Sequence, residues 1–378
     1  MPQSRYILGS LPWYSALMVV GICAAILIAL REEKRLRLPK DTVIDLALWL
    51  IPCGIVGARL YYVLFAWDTF ADDPISVLYI WRGGLAIYGA IIAGALAAVA
   101  FSRRRHLRLT TLMDMVAPGL ILAQAIGRWG NFFNMEAYGL EITDPAWQFF
   151  PAAVLIPEGG RQVWHMATFF YESMWNLAGF AALMACRRRM RRSGDVFCWY
   201  LMLYGGGRLI IEGLRLDSLM TTGGTARVSQ LLSVGLCLIV FALFAVRALG
   251  RVTPRQVASG ILAALAALLS ALLLPRPAAA FYGYELACVA GLSGVAGVSV
   301  ALALRPGIAL PRRLGALMPA LVCLFTVLIR RQLALMGAAD WRGATLLCGL
   351  FTIMMLSGGL AVYPVANARE TAASSPNL

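Results

Sequence analysis

Apolar segments long enough to cross a bilayer recur along the whole chain and constrain its fold more than any other feature. A helix needs about 20 mainly apolar residues to span the hydrocarbon core. Such segments lie at about 14–30, 44–66, 84–102, 111–126, 166–186, 195–213, 228–246, 256–274, 284–304, 315–335 and 343–363. With 60% hydrophobic residues, the chain is also more apolar than a typical soluble domain. The sequence therefore predicts an all-α polytopic integral membrane protein.

A change of composition near residue 250 divides these spans into two groups. The first seven carry Arg, Glu, Asn, Asp and Tyr, whereas the later ones are rich in Ala, Leu and Gly, as in ILAALAALLSALLL. Charged side chains at membrane depth are costly and usually functional. We therefore predict a seven-span functional core at 1–250 and an accessory bundle of about four additional C-terminal transmembrane helices at 251–378, whose role the sequence does not indicate.

The net charge of +14 comes from arginine runs that follow individual spans, such as REEKRLRLPK, RRRHLR and RRRMRR. This distribution is typical of cytoplasmic loops and predicts an N-terminus outside and a C-terminus inside the cell. It argues against a nucleic-acid partner. The eight cysteines are scattered singly without metal-ligand spacing, so we expect neither disulfides nor a metal site.

The stretch GRWGNFFNMEAYG places polar groups directly after the predicted span 111–126. These groups are Arg128, Asn131, Asn134 and Glu136. The planar guanidinium of Arg128 suits a phosphate, and Gly127 and Gly130 are expected to let the backbone bend or open toward a ligand. Because aromatic rings separate the polar groups, a re-entrant or interfacial pocket is favoured over a solvated loop.

A second polar stretch, YGGGRLIIEGLRLD, covers residues 204–217. Arg208 and Glu212 are four residues apart and share a helix face with Tyr204. The glycines at 205–207 would allow a bulky group to approach the backbone. Two interpretations stay open at this point: a buried ion pair that fixes helix packing, or a cationic site for an anionic headgroup.

Several other residues are candidates on weaker grounds. Arg59, Glu172 and Asp114 are charges within apolar runs. Tyr88, in WRGGLAIYGAIIAG, either lines a pocket or belongs to an interfacial aromatic belt, and Tyr14 stands where a belt residue is expected. Periodicity alone does not choose between these roles.

These motifs together resemble the prolipoprotein diacylglyceryl transferases, a family of bacterial membrane enzymes. GRWGNFFNMEAYG is similar to the family signature, with its arginine, both asparagines, its glutamate and the final Gly139 at the expected spacing. DMVAPGLILAQAI, GARLYYVLF, WRGGLAIYGAIIAG, TFFYESMWNL and YGGGRLIIEGLRLDSL resemble further blocks in the family order, over about residues 10–250. Two departures stand out: Tyr88 occupies a position where many members carry histidine, and His165 is displaced from the family's histidine, so it receives no role.

The resemblance implies transfer of an sn-1,2-diacylglyceryl group from phosphatidylglycerol to the lipobox cysteine thiol of a preprolipoprotein signal peptide, with release of glycerol phosphate. It implies no cofactor, and a site toward the outer leaflet of the bacterial cytoplasmic membrane. Arg128 and Arg208 would hold the phosphate, and Glu136 and Glu212 would orient these arginines or contact the headgroup. Tyr88 is a candidate base, and Tyr204 or Tyr14 could take the same role or hydrogen-bond the lipid. The expected substrate-binding residues are Asn131, Asn134, Glu136, Gly139, Tyr14, Tyr204 and Glu212. The alternatives are a transporter or lipid flippase, and a paralogue that is catalytically inactive or acts on another substrate.

Overall fold

Helices make up most of the structure, a computed structural model that describes residues 4–7, 11–190, 192–217, 227–249, 253–272, 294–301, 317 and 341–366. The helices are α1 (Trp13–Leu36), α2 (Thr42–Phe65), α3 (Ile87–Arg104), α4 (Leu109–Asn134), α5 (Thr168–Cys186), α6 (Asp195–Glu212), α7 (Val228–Leu249), α8 (Pro254–Leu272) and α9 (Trp341–Ala366). Two short antiparallel pairs, β1 (Tyr6–Ile7) with β2 (Leu11–Pro12) and β3 (Ala153–Glu158) with β4 (Arg161–Met166), complete the elements. The predicted helical architecture is confirmed, but the chain was predicted to be all-α, and the two short strand pairs depart from that prediction.

Five of the described helices, α1, α2, α3, α4 and α7, are long and apolar enough to cross a membrane. They support an integral membrane protein. Helices α5 and α6 lie where spans were predicted and are long enough, but they are less apolar than the other five, and α6 carries both Arg208 and Glu212. The predicted spans 284–304 and 315–335 lie mostly outside the described residues, so the seven-plus-four count stays a prediction.

The chain forms two compact units. The first unit comprises residues 1–18, 124–192 and 198–378, and the second unit comprises residues 19–123 and 193–197. The predicted boundary near residue 250 is a separate hypothesis about function and is not tested by this division.

In the first unit, the C-terminal helix α9 packs against α6 and α7. The Tyr363 ring lies 5.4 Å from that of Phe244, and the Thr352 hydroxyl donates to the Gly206 carbonyl at 3.1 Å. An added Cβ at Gly206 would collide with Thr352, and one at Gly207 would overlap the Trp175 indole. The groups that approach the α6 glycines closely are therefore side chains of neighbouring helices, which is the role of small residues in membrane helix packing.

Between α4 and α5, the first unit contains the β3–β4 hairpin in a segment that the sequence left as a long loop. Its six-residue strands pair from Ala153 with Met166 to Glu158 with Arg161. Gly159 and Gly160 form the turn with positive φ values of 54° and 82°, the conformation that two-residue hairpin turns require. The strands alternate too weakly in polarity for the sequence to reveal them.

In the second unit, α2 and α3 approach closely through glycines, since an added Cβ at Gly57 would lie 2.7 Å from the Gly89 carbonyl oxygen. The Arg59 guanidinium donates to the backbone carbonyls of Ser76, Val77, Gly83 and Gly84 at 2.7–3.0 Å. It also lies 4.9 Å from the Phe70 ring centroid. Arg59 therefore fixes the loop that follows α2.

The buried carboxylate of Asp114, also in the second unit, is a structural cap. It accepts hydrogen bonds from the backbone N–H groups of Gly194 at 2.6 Å and Phe197 at 2.9 Å. Both groups belong to the start of α6, where backbone donors lack helical partners. Asp114 satisfies them, so this charge is explained by helix capping.

Candidate active site

A chain of charged side chains joins α4, α5 and α6 within the first unit. The Arg128 Nη2 atom lies 2.7 Å from Glu172 Oε1, and the Arg208 Nη1 atom lies 3.2 Å from Glu172 Oε2. One carboxylate thus bridges both arginines. The Glu172 side chain is only 3% exposed, whereas those of Arg128 and Arg208 are 20% and 15% exposed. The two guanidinium groups are therefore held by a buried anion while part of each stays accessible.

The charged chain continues past the end of α6. Arg208 Nη2 lies 2.6 Å from Glu212 Oε2, which is the pairing that their four-residue spacing predicts. Arg215 Nη1 lies 3.9 Å from the same Glu212 oxygen, and Arg215 forms two hydrogen bonds of 2.9 and 2.8 Å with Asp217. Three arginines therefore alternate with carboxylates in one continuous series of contacts.

The Arg215–Asp217 pair carries shifted pKa values. Burial alone would raise the pKa of the Asp217 carboxyl, but the hydrogen bonds and charge of Arg215 lower it below its ordinary value. Burial would lower the pKa of Arg215, and the contact with Asp217 reverses that effect and raises it. Both groups are charged at neutral pH, so this end of the site is an ion pair.

The other end of the site consists of neutral amides around Glu136. Asn131 and Asn134 donate to Glu136 Oε1 at 2.8 and 3.2 Å, and Arg128 donates to Asn131 Oδ1 at 3.4 Å. We expected Glu136 to orient the arginines or to contact the headgroup. In the structure its contacts among the described residues are with the two asparagines, and Asn131 connects it to Arg128.

The signature stretch does not bend at its glycines as predicted. Helix α4 runs without interruption from Leu109 to Asn134, so residues 127–134 are helical. An added Cβ at Gly130 would lie 2.7 Å from the Tyr14 ring, and Trp13 stacks on Phe133 with centroids 4.6 Å apart. Gly130 therefore serves close packing against the start of α1, which places Tyr14 beside the signature helix.

Comparison with known proteins identifies the family of this chain. The family model of prolipoprotein diacylglyceryl transferase matches residues 6–246. The chain belongs to this family. It is 40% identical over 245 residues to a phosphatidylglycerol--prolipoprotein diacylglyceryl transferase of Shouchella clausii, covering 64% of this chain and 88% of that protein. The protein of the same name from Listeria welshimeri is 42% identical over 242 residues, covering 64% of this chain and 87% of that protein. The one from Limosilactobacillus reuteri is 45% identical over 229 residues, covering 59% of this chain and 82% of that protein.

The last glycine of the family signature, Gly139, is held by the residue that the sequence left without a role. The His165 ring, 2% exposed, contacts the Gly139 carbonyl through Nδ1 at 2.9 Å. Its Nε2 lies 3.3 Å from Glu158, which also accepts from the Tyr138 hydroxyl at 3.1 Å. An added Cβ at Gly139 would lie 2.8 Å from the Leu214 carbonyl oxygen. His165 and the glycine together fix the segment that leaves the signature helix.

Two of the tyrosines that the sequence predicts as site residues, Tyr204 and Tyr88, belong to different units. Tyr204, one turn before Arg208, stacks on Tyr200 with ring centroids 6.0 Å apart, and Gln124 donates to the Tyr200 hydroxyl at 3.0 Å. Tyr204 thus lies on the same face of α6 as Arg208, one turn closer to the start of the helix. Tyr88 belongs to the second unit, where its ring centroid is 6.4 Å from that of Tyr61. Its assignment as the base stays a prediction.

Sequence reasoning missed two members of this site. Glu172 was noted only as a charge in an apolar run, although its place in a span was a signal that it needed cationic partners. Arg215 stood inside a quoted motif but was not singled out, although it follows Glu212 by three residues, a spacing that brings side chains together on a helix face. Glu172 enters the site through tertiary contacts, whereas Arg215 enters through contacts that are local in sequence.

Chemically, the site is suited to an anionic group with two oxygens that can accept paired hydrogen bonds from a guanidinium. A guanidinium has five N–H donors, and the contacts of the described residues use two nitrogens of Arg128 and two of Arg208. Donors therefore remain for a ligand, and the bridging Glu172 keeps both guanidinium groups at one location. The arrangement can bind a phosphate and stabilise charge that develops on it.

Proposed function

We propose that this chain transfers a diacylglyceryl group from phosphatidylglycerol to a cysteine thiol of a prolipoprotein, in keeping with its family and the names of its relatives. The observation that carries the proposal is the bridging of Arg128 and Arg208 by the buried carboxylate of Glu172. Two guanidinium groups held together in an apolar helical setting are a site for a lipid phosphate.

The reaction places specific demands on the site. The cysteine sulfur, as thiolate, attacks the terminal glycerol carbon of the diacylglyceryl group, and the bond between that carbon and the phosphate oxygen breaks with its electron pair. Glycerol phosphate leaves, and a base takes the thiol proton. The two arginines stabilise the charge gathered on the departing phosphate, while Asn131 and Asn134 offer neutral hydrogen bonds to the headgroup. Tyr88 is our candidate base.

We further propose the setting that the arginine runs indicate. The N-terminus and the site would face the outer leaflet of the bacterial cytoplasmic membrane, and the acceptor cysteine would come from the lipobox of a signal peptide. The positive-inside distribution of the loops supports this orientation.

The direct test incubates the purified chain with phosphatidylglycerol and a synthetic lipobox peptide, followed by mass spectrometry. We expect a peptide whose mass has increased by one diacylglyceryl group on sulfur, with release of glycerol phosphate. Movement of fluorescent phosphatidylglycerol between leaflets of proteoliposomes, without any thioether product, would instead indicate a lipid transporter and overturn the proposal.

The mechanism also predicts that the chain's own cysteines are dispensable, because the nucleophilic thiol arrives on the substrate. Cys198, Cys237 and Cys348 are buried among helices, and Cys23, Cys53 and Cys186 are exposed. The remaining two, Cys288 and Cys323, lie outside the described residues. Replacing all eight with Ala or Ser should leave the rate of transfer within about threefold of wild type, a margin for small packing changes. Loss of transfer in a well-folded variant lacking a single cysteine contradicts this mechanism.

A further inference from the structure

A cavity of about 230 Å³ lies in the first unit beside the amide end of the site. Asn131 and Glu136 line it on one side, and residues 153–156 of strand β3 line it on another. We propose that this cavity receives one apolar side chain of the prolipoprotein, close in sequence to the cysteine that accepts the lipid. This inference rests on the proposed function, and it names the feature of the peptide that the site recognises.

The walls of the cavity are apolar and held in place by the fold. Phe132 and Phe169, both lining it, have ring centroids 5.3 Å apart. Leu155 lies opposite Trp164 in the hairpin register, and both contribute to the lining. Nearby, the Trp129 indole donates to the Ser173 hydroxyl at 3.2 Å, which ties α4 to α5. A preformed cavity of this kind binds without a large ordering cost.

The size of the cavity decides between a side chain and a lipid tail. A cavity of roughly 150 Å³ holds benzene, whereas drug-sized ligands need roughly 300–1,000 Å³. The volume of about 230 Å³ therefore fits one aliphatic or aromatic side chain. It is too small for the two acyl chains of a diacylglyceryl group, so the lipid tails must lie elsewhere.

The position of the cavity links it to the transfer chemistry. Asn131 lines the cavity and accepts a hydrogen bond from Arg128, which is paired with Glu172. An extended peptide advances about 3.3 Å per residue, so a side chain in the cavity would leave the following residues near the arginines. Glu136 also lines the cavity, and a carboxylate can accept hydrogen bonds from peptide N–H groups. Signal peptides supply the required apolar residues.

The test measures how the enzyme distinguishes peptides that differ in one side chain. Two synthetic peptides are compared for each position before the acceptor cysteine, one with leucine placed at that position and one with alanine there. We expect one position at which wild-type kcat/KM is lower by about tenfold or more for the alanine peptide, since even one missing methylene in a pocket costs about tenfold or more. Val154→Phe, which fills the cavity, should lower kcat/KM for the leucine peptide by a similar factor. It should leave the alanine peptide near the wild-type value and the KM for phosphatidylglycerol unchanged.

Val163→Phe is the matched control. Val163 lies opposite Ile156 on the same hairpin but does not line the cavity, so the same substitution there should not alter peptide preference. If Val154→Phe fails to fold, Ile156→Ala serves in its place, because it enlarges the cavity and should favour a phenylalanine peptide over the leucine peptide.

The outcomes separate the two levels of the hypothesis. The cavity assignment would be overturned if Val154→Phe lowered kcat/KM equally for all peptides. It would also be overturned if Val154→Phe raised the KM for phosphatidylglycerol and left peptide preference unchanged, because a lipid would then occupy the cavity. Absence of transfer by the wild-type protein would overturn the proposed function. If the wild-type protein shows no transfer, a binding assay with fluorescently labelled versions of the peptides would still show whether Val154→Phe removes the preference for leucine over alanine.

Discussion

Arg59 in the second unit and the pair Arg128 and Arg208 in the first unit give the same sequence signal, an arginine within an apolar helix. Their roles differ: Arg59 holds a loop, whereas the pair is a candidate phosphate site. Arg59 is 6% exposed, and its donors go to backbone carbonyls of one loop in four hydrogen bonds. Arg128 and Arg208 contact side chains, chiefly carboxylates, and their side chains remain 20% and 15% exposed.

The difference lies in the kind of partner. Backbone carbonyls are fixed by the fold and satisfy Arg59 without leaving a role for a ligand. A carboxylate that bridges two guanidinium groups neutralises part of their charge and keeps them at one location, while accessible donors remain. A buried arginine is therefore evidence of function only when its partners leave room for an anion.

The largest effect is expected from replacing the fork-shaped guanidinium of the pair. Arg128→Lys or Arg208→Lys keeps the charge but loses planar, two-pronged contact with phosphate. The rate of transfer to a lipobox peptide should fall by about 10²–10³-fold, the cost of losing a donor to a developing oxyanion. The matched control is Arg105→Lys, at an exposed ion pair with Asp45, which should retain activity. Near wild-type transfer by either pair variant contradicts a phosphate clamp.

Removing the bridge should have a smaller but still clear effect. Glu172→Gln leaves two guanidinium groups without their shared, 3% exposed counter-ion. Because breaking a buried ion pair leaves uncompensated charge, we expect a loss of about 3 kcal/mol in the free energy of unfolding. We also expect about a tenfold rise in the KM for phosphatidylglycerol, since the arginines lose their common position. Thermal unfolding in detergent and steady-state kinetics measure the two effects, and an unchanged KM argues that Glu172 only supports the fold.

The smallest effect on activity is expected from substitution of Arg59, the arginine that binds backbone carbonyls. Arg59→Lys removes most of the hydrogen bonds to the loop after α2, so the midpoint of thermal unfolding should fall, with a loss of about 2 kcal/mol for charge-assisted bonds. Transfer per folded molecule should stay within about threefold of wild type. A hundredfold loss of transfer in a stable Arg59→Lys protein would place Arg59 with the other two arginines and end the contrast.

Much of the site could be predicted from local pattern. The four-residue spacing of Arg208 and Glu212 predicted their pairing, which is observed at 2.6 Å. The spacing within GRWGNFFNMEAYG brought Arg128 and both asparagines into one cluster, because residues three or four apart share a helix face. Hydropathy predicted the apolar helices, and the family resemblance over about 10–250 is confirmed by the match over 6–246.

The functions of the glycines could not be predicted in the same way. A glycine permits a bend, a ligand or a close neighbour equally well, and only the packed structure shows which is present. At Gly130 the neighbour is Tyr14, at Gly206 it is Thr352, and at Gly207 it is Trp175. The expected opening in α4 was therefore wrong, because the glycines serve helix packing.

By itself, the sequence determined that this chain is a membrane protein built of helices and which polar residues it carries into them, because hydrophobicity and helical periodicity are local properties. Tertiary structure alone decided that Glu172 joins Arg128 to Arg208, that Arg59 is bound to backbone, and that a hairpin forms a cavity beside Asn131. These relations depend on which helix faces meet. Side chains distant in sequence make those contacts, and no local pattern specifies them.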